Sequence, residues 1–250
     1  MSEFIEDRSV LSRPAPPPDS TVRYDALGES IADIRYGKGA PAERPLIIFI
    51  HGGFWRPQFN RMHAAPLCVG IAEAGWTIAS LEYRRVPGSP DATLHDVGLA
   101  IEKLPALIGA HNGKAIVAGH SAGGHLALWA AGVRKSEALI GALGLGPVAD
   151  LQAAASQELG DRAVQAFLGD SVNRHRDFDP CQLPSPRHAV SIVHGIQDAI
   201  VPVALSENYL ACHEKTRLIR VNDCGHFAVI DPTSTAWPIV CKELDWLSQS

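Results

Sequence analysis

A serine between two glycines is the residue whose surroundings most directly indicate chemistry. Ser121 lies in the segment G-H-S-A-G at residues 119–123, after an apolar run at 115–118 and before an Ala- and Leu-rich stretch at 124–133. The pattern G-x-S-x-G between a strand and a helix is typical of serine nucleophiles, because the sharp turn exposes the hydroxyl. The start of the following helix also presents free N–H groups to a developing oxyanion. We therefore predict that Ser121 is the nucleophile of an acyl-transfer reaction.

A serine nucleophile needs a base, and one histidine has the required context. His226 lies in N-D-C-G-H-F at residues 222–227, directly after a predicted strand at 216–221. A loop after the last strand can reach back over the sheet to the serine, and Gly225 gives that loop freedom to turn. We predict that His226 accepts the proton of Ser121 and later returns it to the leaving group.

The acid that orients the histidine is expected between the serine and the histidine in the chain. Asp198 ends the segment H-G-I-Q-D at residues 194–198, just past a predicted strand at 189–194. We predict that Asp198 orients and stabilises the His226 imidazolium. Asp150, which follows the preceding strand, is one alternative, and Asp223 is another, although it is too near His226 to bridge to it easily.

The segment H-G-G-F-W at residues 51–55 follows a buried strand at 46–50 and predicts the oxyanion hole. A Gly-Gly pair lets the backbone approach a substrate closely. The donors are the N–H groups of either Gly53 and Phe54 or Gly52 and Gly53, and the N–H of Ala122 completes the hole. His51 is expected to pack behind the loop and to hydrogen-bond the backbone. The predicted substrate-pocket residues are Trp55, His120 and Phe227.

The order of elements along the chain predicts an α/β fold. Buried strands alternate with helices, which indicates a mostly parallel central sheet with helices on both faces, whose ligands bind beyond the carboxyl ends of the strands. The predicted domain covers residues 20–250 and contains a small cap insertion at about 147–187, where the alternation is interrupted. A Pro-rich N-terminal arm covers residues 1–19, and we expect it to lie on the surface or to be disordered.

Composition and charge exclude several function classes. The 250 residues carry a net charge of −5 without a basic stripe, so no nucleic-acid partner is expected. No apolar stretch approaches a membrane span, and the acidic N-terminus does not resemble a signal peptide. The five scattered cysteines indicate reduced thiols and a cytoplasmic protein. The histidine spacing predicts no metal site and the sequence implies no cofactor, so the expected partners are a small-molecule substrate and water, with a homodimer as one possibility.

Taken together, these motifs resemble the kynurenine formamidase (arylformamidase) branch of the α/β-hydrolase superfamily. The resemblance rests on H-G-G-F-W at 51–55, G-H-S-A-G-G-H at 119–125, H-G-x-x-D at 194–198 and G-H-F at 225–227. The related hormone-sensitive-lipase-like esterases share the H-G-G loop without the tryptophan as a hallmark. The resemblance spans about residues 30–248. It implies an α/β-hydrolase fold and hydrolysis of an N-formyl amide such as N-formylkynurenine.

Three hypotheses about function follow from the sequence. The first is an arylformamidase-like amide hydrolase, the second is a carboxylesterase acting on short acyl esters, and the third is a hydrolase-fold binding protein without chemistry. The presence of Ser121, Asp198 and His226 argues against the third. The basic candidates for contact with a substrate carboxylate are Arg56, Arg84 and Arg174, each of which could instead form a surface ion pair.

Overall fold

The computed structural model describes residues 5–250. In these residues eight strands form one sheet, in the order β1-β2-β4-β3-β5-β6-β7-β8. The strands are β1 Ser20–Arg23, β2 Ile31–Arg35, β3 Leu46–Ile50, β4 Ile78–Leu81, β5 Ala115–His120, β6 Leu139–Leu145, β7 Ala189–Gly195 and β8 Arg217–Val221. The first two strands pair antiparallel with their neighbours, and all later neighbours are parallel. The predicted mostly parallel sheet is therefore confirmed.

Seven α-helices cover the two faces of this sheet in the described residues. They are α1 Ala65–Glu73, α2 Pro90–Leu107, α3 Ala122–Val133, α4 Leu151–Ser156, α5 Leu159–Leu168, α6 Ala204–Cys212 and α7 Trp237–Ser248. Short 3-10 turns occupy Ser9–Leu11, Pro41–Glu43, Arg61–Ala64, Val172–Arg174, Arg176–Phe178, Pro180–Gln182 and Ala228–Ile230. Helix α2 begins at Pro90, because a proline fits the first helical turn, where its missing N–H costs nothing.

The central strands β3, β4 and β5 are buried on both faces, as their continuous apolar sequences predict. In β3, Ile48 and Ile50 face the core shared with α2 and α3, whereas Ile47 and Phe49 face the core shared with α1 and α7. The parallel register places the ends of β3 and β5 side by side, with Ile50 opposite Gly119. The loops that follow these two strands are therefore neighbours at the carboxyl edge of the sheet.

The segment predicted as a cap, residues 147–187, contains α4, α5 and three of the 3-10 turns. Three residues assigned to the first turn of α5, Gly160, Asp161 and Arg162, have left-handed backbone angles, with φ between 54° and 59°. The helical part of α5 therefore begins after Arg162. This left-handed turn lies against the loop after β3, since the Arg56 guanidinium donates to the Gly160 carbonyl and approaches the Asp161 carboxylate at 3.8 Å.

The described part of the N-terminal arm is tied to the domain rather than free of it. Val10 is buried in the core beside α1 and α7. The Arg35 guanidinium donates to the carbonyls of Pro17 and Pro16 at 3.0 and 2.5 Å. Asp19 N–H donates to the carbonyl of Ile34, which joins the arm to β2. Along residues 5–250, no helix is both long and apolar enough to cross a membrane.

Candidate active site

Ser121 lies at the turn between β5 and α3. Its φ of 56° and ψ of −120° are strained values for a residue with a side chain. The turn is held by two hydrogen bonds, from Ser121 N–H to Leu145 O at 3.0 Å and from Val148 N–H to Ser121 O at 3.2 Å. The surrounding structure thus fixes the backbone in a conformation that a serine would not adopt by itself.

The two glycines of the motif are required by close backbone packing. A Cβ on Gly119 would lie 2.1 Å from the carbonyl oxygen of Gly123, and a Cβ on Gly123 would lie 2.0 Å from the carbonyl oxygen of Ile50. Both distances are far below any van der Waals contact with backbone atoms, which cannot move aside. The glycines therefore allow α3 to begin directly against the end of β3 and allow the turn at Ser121.

His226 and Asp198 form a hydrogen-bonded pair between two loops at the carboxyl edge of the sheet. His226 Nδ1 lies 2.6 Å from Asp198 Oδ2. Because the carboxylate oxygen can only accept, Nδ1 carries a proton, which in the neutral imidazole leaves the lone pair on Nε2. The side chains of Ser121, Asp198 and His226 are shielded from solvent, with residue exposures of 3, 6 and 2%.

Asp198 is itself held in place by its own loop and by a second histidine. Its Oδ1 accepts from the N–H groups of Ile200 and Val201 at 2.9 and 2.8 Å, and its Oδ2 lies 3.3 Å from His194 Nε2. Burial alone would raise the pKa of Asp198, but the hydrogen bonds with His194 and His226 outweigh burial and lower it well below its ordinary value. Asp198 is thus a fixed anion facing the imidazole.

The His226–Asp198 pair lies beside the serine turn, and the residues Gly146 and His120 connect the two. Gly146 follows Leu145, the partner of the Ser121 N–H, and a Cβ there would lie 3.3 Å from both Asp198 Oδ2 and His226 Nδ1. The ring of His120, the residue before Ser121, lies 4.5 Å from the His226 ring between centroids. Within residues 5–250, Ser121 Oγ forms no hydrogen bond with the His226 ring. In sites without substrate such bonds are often long and tighten only in the complex.

The loop after β3 faces Ser121 with its glycines. A Cβ on Gly52 would lie 3.0 Å from Ser121 Cβ, and Gly53 has φ of 106°, which favours glycine. His51 Nδ1 lies 2.8 Å from the Gly52 carbonyl. In a trans peptide the N–H points opposite to the C=O, so the Gly53 N–H points away from the His51 ring. Among the described residues, neither this N–H nor that of Ala122 has a hydrogen-bond partner.

A buried ionic network supports that loop from behind. His51 Nε2 lies 3.2 Å from Glu82 Oε1, the Arg85 guanidinium also contacts Glu82, and the hydroxyl of Tyr83 donates to the His51 carbonyl at 2.9 Å. Burial lowers the pKa of His51. Burial alone would raise the pKa of Glu82, but contacts with His51, Arg85 and the Arg61 N–H lower it to about 2. The loop is therefore anchored by a carboxylate that stays charged.

Replacing Glu82 with glutamine should destabilise the fold in a pH-dependent way. The change leaves the buried Arg85 without its carboxylate, which should lower the free energy of unfolding near neutral pH by about 3 kcal/mol. The folded-state pKa of Glu82 lies below its unfolded value, so its contribution is complete above about pH 5 and is lost as the pH falls towards 2. Denaturant titrations across this pH range should show that the difference in free energy of unfolding between wild type and variant becomes smaller as the pH falls.

The matched control is Glu73→Gln. Glu73 forms an exposed ion pair with Lys38, with side-chain exposures of 55 and 69%. Its loss should change the free energy of unfolding by less than about 1 kcal/mol. If Glu82→Gln lowered the free energy of unfolding equally at pH 7 and at pH 3, the role assigned to the charge of the Glu82 carboxylate would be contradicted.

The residues predicted to line a substrate pocket differ in their surroundings. The Trp55 ring is buried. It stacks on Phe167 of α5 at 4.7 Å and lies edge-on to His125 of α3 at 5.1 Å between centroids, so it packs in the core between these two helices. His120 is also buried, and its Nε2 lies 3.0 Å from the His226 carbonyl, so it supports the histidine loop. Phe227 is half-buried beside both histidine rings.

The alternative acids have other partners. Asp150 caps α4 by accepting from the Ala153 N–H at 2.8 Å and also binds the Asn208 amide at 2.7 Å. Asp223 accepts from the Gln197 amide at 3.4 Å. Neither carboxylate contacts the His226 ring in the described part of the chain.

All three candidate arginines are bound in ion pairs. Arg84 makes a two-pronged contact with the buried Asp96, and Arg174 pairs with Asp170 at 3.0 Å on the surface. Arg56 lies 3.8 Å from the Asp161 carboxylate and joins the loop after β3 to the left-handed turn at residues 160–162. Sequence patterns did not single out Glu82 for a role, although it lies in the segment L-E-Y-R at residues 81–84 that follows β4.

Comparison with known proteins adds to this geometry. The model of the protein family described as BD-FAE matches residues 32–211. Esterase LipC of Mycobacterium tuberculosis is 25% identical over 232 residues, covering 82% of this chain and 56% of LipC. Hormone-sensitive lipase of Mus musculus is 29% identical over 163 residues, covering 56% of this chain and 21% of that lipase. The chain thus spans only about half of LipC, and less of the lipase.

The fold also occurs among solved structures. A truncated form of a carbohydrate esterase from gut microbiota superposes with a TM-score of 0.77 at 19% identity, covering 94% of this chain and 99% of that one. At this level of identity the similarity concerns the fold.

Proposed function

The chain belongs to the BD-FAE family, in the α/β-hydrolase superfamily, and on this basis we propose that it is a serine carboxylesterase that cleaves short-chain acyl esters through an acyl-enzyme. One observation carries the proposal. Ser121 lies on a strained strand-to-helix turn with φ of 56°, and the His226–Asp198 pair, joined by a hydrogen bond of 2.6 Å, lies beside that turn. This arrangement supports the assignment of Ser121 as nucleophile, His226 as base and Asp198 as orienting acid.

In the first half of the reaction, Ser121 Oγ attacks the ester carbonyl carbon while His226 Nε2 accepts the hydroxyl proton. Asp198 stabilises the imidazolium that forms and keeps Nδ1 directed towards itself. The negative charge on the former carbonyl oxygen is met by the N–H groups of Gly53 and Ala122. The intermediate then collapses, the imidazolium protonates the leaving alkoxide, and an alcohol departs from the acyl-enzyme.

In the second half, water takes the place of the alcohol. His226 Nε2 accepts a proton from the water as its oxygen attacks the acyl carbon, and the same N–H groups bind the second oxyanion. Collapse of this intermediate breaks the bond to Ser121 Oγ, which receives the proton from the imidazolium. A carboxylic acid leaves and the free enzyme is restored, so the cycle consumes only ester and water.

The names of the relatives support an ester as the substrate. The relatives LipC and hormone-sensitive lipase are an esterase and a lipase by name, and the similar solved structure is a carbohydrate esterase by its title. The left-handed cap turn at Gly160 also packs against the Phe54 ring, since a Cβ on Gly160 would lie 2.7 Å from it. Phe54, which follows the proposed oxyanion glycines in the chain, is thereby held against residues 160–162.

Hydrolysis of an N-formyl aryl amide is the second candidate function. It is favoured by the loop H-G-G-F-W at residues 51–55, which resembles the arylformamidase branch. A formyl group is the smallest acyl group and makes the same demands on Ser121, His226 and the oxyanion donors. The two candidates therefore differ in the acyl group and in the leaving group that the site accepts, not in the catalytic residues.

A substrate panel distinguishes the two. We expect kcat/KM for p-nitrophenyl acetate or butyrate to exceed that for N-formylkynurenine by at least about 10-fold, each measured against Ser121→Ala as the background. Rapid formate release from N-formylkynurenine with slow cleavage of both esters would instead establish the formamidase. Since kcat/KM compares transition states directly, the ratio does not depend on how tightly either substrate binds.

A further inference from the structure

The carboxylate of Glu6, in the N-terminal arm, contacts the loop that carries His226. Glu6 Oε2 accepts from the His226 N–H at 2.8 Å, and Oε1 accepts from the Phe227 N–H at 3.0 Å. The carboxylate uses space that the preceding Gly225 leaves free, since a Cβ there would lie 2.2 Å from Glu6 Oε2. Two adjacent backbone donors and one carboxylate thus form a fitted pair of charge-assisted hydrogen bonds.

The segment that carries Glu6 is anchored on both sides of this contact. The Arg8 guanidinium lies 5.6 Å from the centroid of the Phe227 ring. Arg13 binds Asp231 through two hydrogen bonds of 2.6 and 2.7 Å, and Asp231 lies just beyond the histidine loop. Val10, between the two arginines, is buried. These contacts on both sides of Glu6 hold its carboxylate against the loop that carries His226.

With this contact, three polar groups of His226 are engaged. Its N–H donates to Glu6, its carbonyl lies 3.0 Å from His120 Nε2, and its Nδ1 donates to Asp198. Only Nε2, the atom that must exchange a proton with Ser121, is left for chemistry. A loop that follows a strand has few contacts that fix its position. A displacement of the catalytic imidazole by about 1 Å can cost roughly 100-fold in rate.

We propose that Glu6 is a positioning residue of the active site, which fixes the His226 imidazole through the backbone of its loop. The proposal rests on the proposed function of His226 as the base. Glu6 reaches the reacting atoms only through His226, so its loss should lower kcat more than it weakens substrate binding. Within the N-terminal arm, this role falls to the Glu6 side chain, which bonds the backbone of the histidine loop.

Kinetics of Glu6 variants test the proposal. Glu6→Ala should lower kcat by about 10- to 100-fold with KM within about threefold of wild type. Glu6→Gln keeps a single acceptor oxygen for two donors and should fall between wild type and Glu6→Ala. The matched control is Asp7→Asn, since among residues 5–250 the Asp7 carboxylate accepts a hydrogen bond only from Ser9, within the arm, and its kcat should stay within about twofold. If the alanine variant does not fold, the glutamine variant carries the comparison.

A second measurement does not depend on turnover. In the Ser121→Ala background, the low-field proton resonance of the His226–Asp198 hydrogen bond should broaden or shift in Glu6→Ala and stay unchanged in Asp7→Asn. Suppose that the resonance changes in Glu6→Ala and not in Asp7→Asn, while the wild-type protein cleaves no ester. This outcome would uphold the role of Glu6 and reject the proposed esterase activity. An active wild type whose Glu6→Ala and Glu6→Gln variants keep both kcat and the resonance would overturn the role of Glu6 and leave the esterase intact.

Discussion

Replacing Ser121 with alanine should lower kcat for a p-nitrophenyl ester by about 10⁵-fold or more. Without Oγ no acyl-enzyme can form, and only the oxyanion donors and general substrate binding remain to accelerate attack by water. The alanine fits the same turn, because its Cβ replaces that of the serine. The denaturation midpoint should therefore change little, and initial rates together with thermal unfolding of the same preparation measure both effects.

The control for this prediction is Cys224→Ala. Cys224 is the nucleophilic side chain nearest in sequence to His226, but it is buried, and burial raises the pKa of its thiol to about 12. The variant should keep its rate within about threefold of wild type. If Ser121→Ala retained more than a few per cent of the activity, or if Cys224→Ala abolished it, the nucleophile would have been assigned to the wrong residue.

Replacing Asp198 with asparagine should lower kcat by about 10³- to 10⁴-fold. The asparagine amide can donate to His226 Nδ1, which would move the imidazole proton to Nε2 and remove the lone pair that must accept the serine proton. The change also removes the anion that stabilises the imidazolium. Steady-state kinetics should show the loss in kcat with little change in KM, since Asp198 does not touch the substrate.

Asp223→Asn and Asp150→Asn are the matched controls for that variant. Both variants carry the same chemical change. Asp223 lies within the histidine loop and Asp150 lies at the N-terminus of α4, and in residues 5–250 neither carboxylate contacts the His226 ring. Their rates should stay within about threefold of wild type. A large loss in either of them, with a small one in Asp198→Asn, would assign the acid to the other carboxylate.

The parts of the site that sequence analysis could predict are those with local patterns. G-x-S-x-G is recognisable because the strained turn admits no side chains two positions to either side of Ser121. Asp198 and His226 each lie in the loop that follows a predicted strand, and the parallel sheet, which the alternation of elements predicts, brings such loops to one edge. The structure places Asp198 and His226 in contact at that edge, 28 residues apart in the chain.

The rest of the site depends on contacts that no short pattern encodes. Glu6 lies 220 residues from His226 in the chain, within an arm whose prolines indicate only an extended backbone. The left-handed turn at residues 160–162 could not be anticipated either, because Asp161 and Arg162 favour right-handed helix when considered alone. The direction of the Gly53 N–H became apparent only from the His51–Gly52 contact.

The central claim is that Ser121 becomes acylated during turnover, and covalent labelling tests it most directly. A p-nitrophenyl phosphonate should inactivate the protein stoichiometrically, and mass spectrometry of the digested protein should find the added group on the peptide that contains Ser121. Asp198→Asn should be labelled far more slowly, because the phosphonate also requires deprotonated Oγ. A label on another residue, or full activity after one equivalent has bound, would contradict the account.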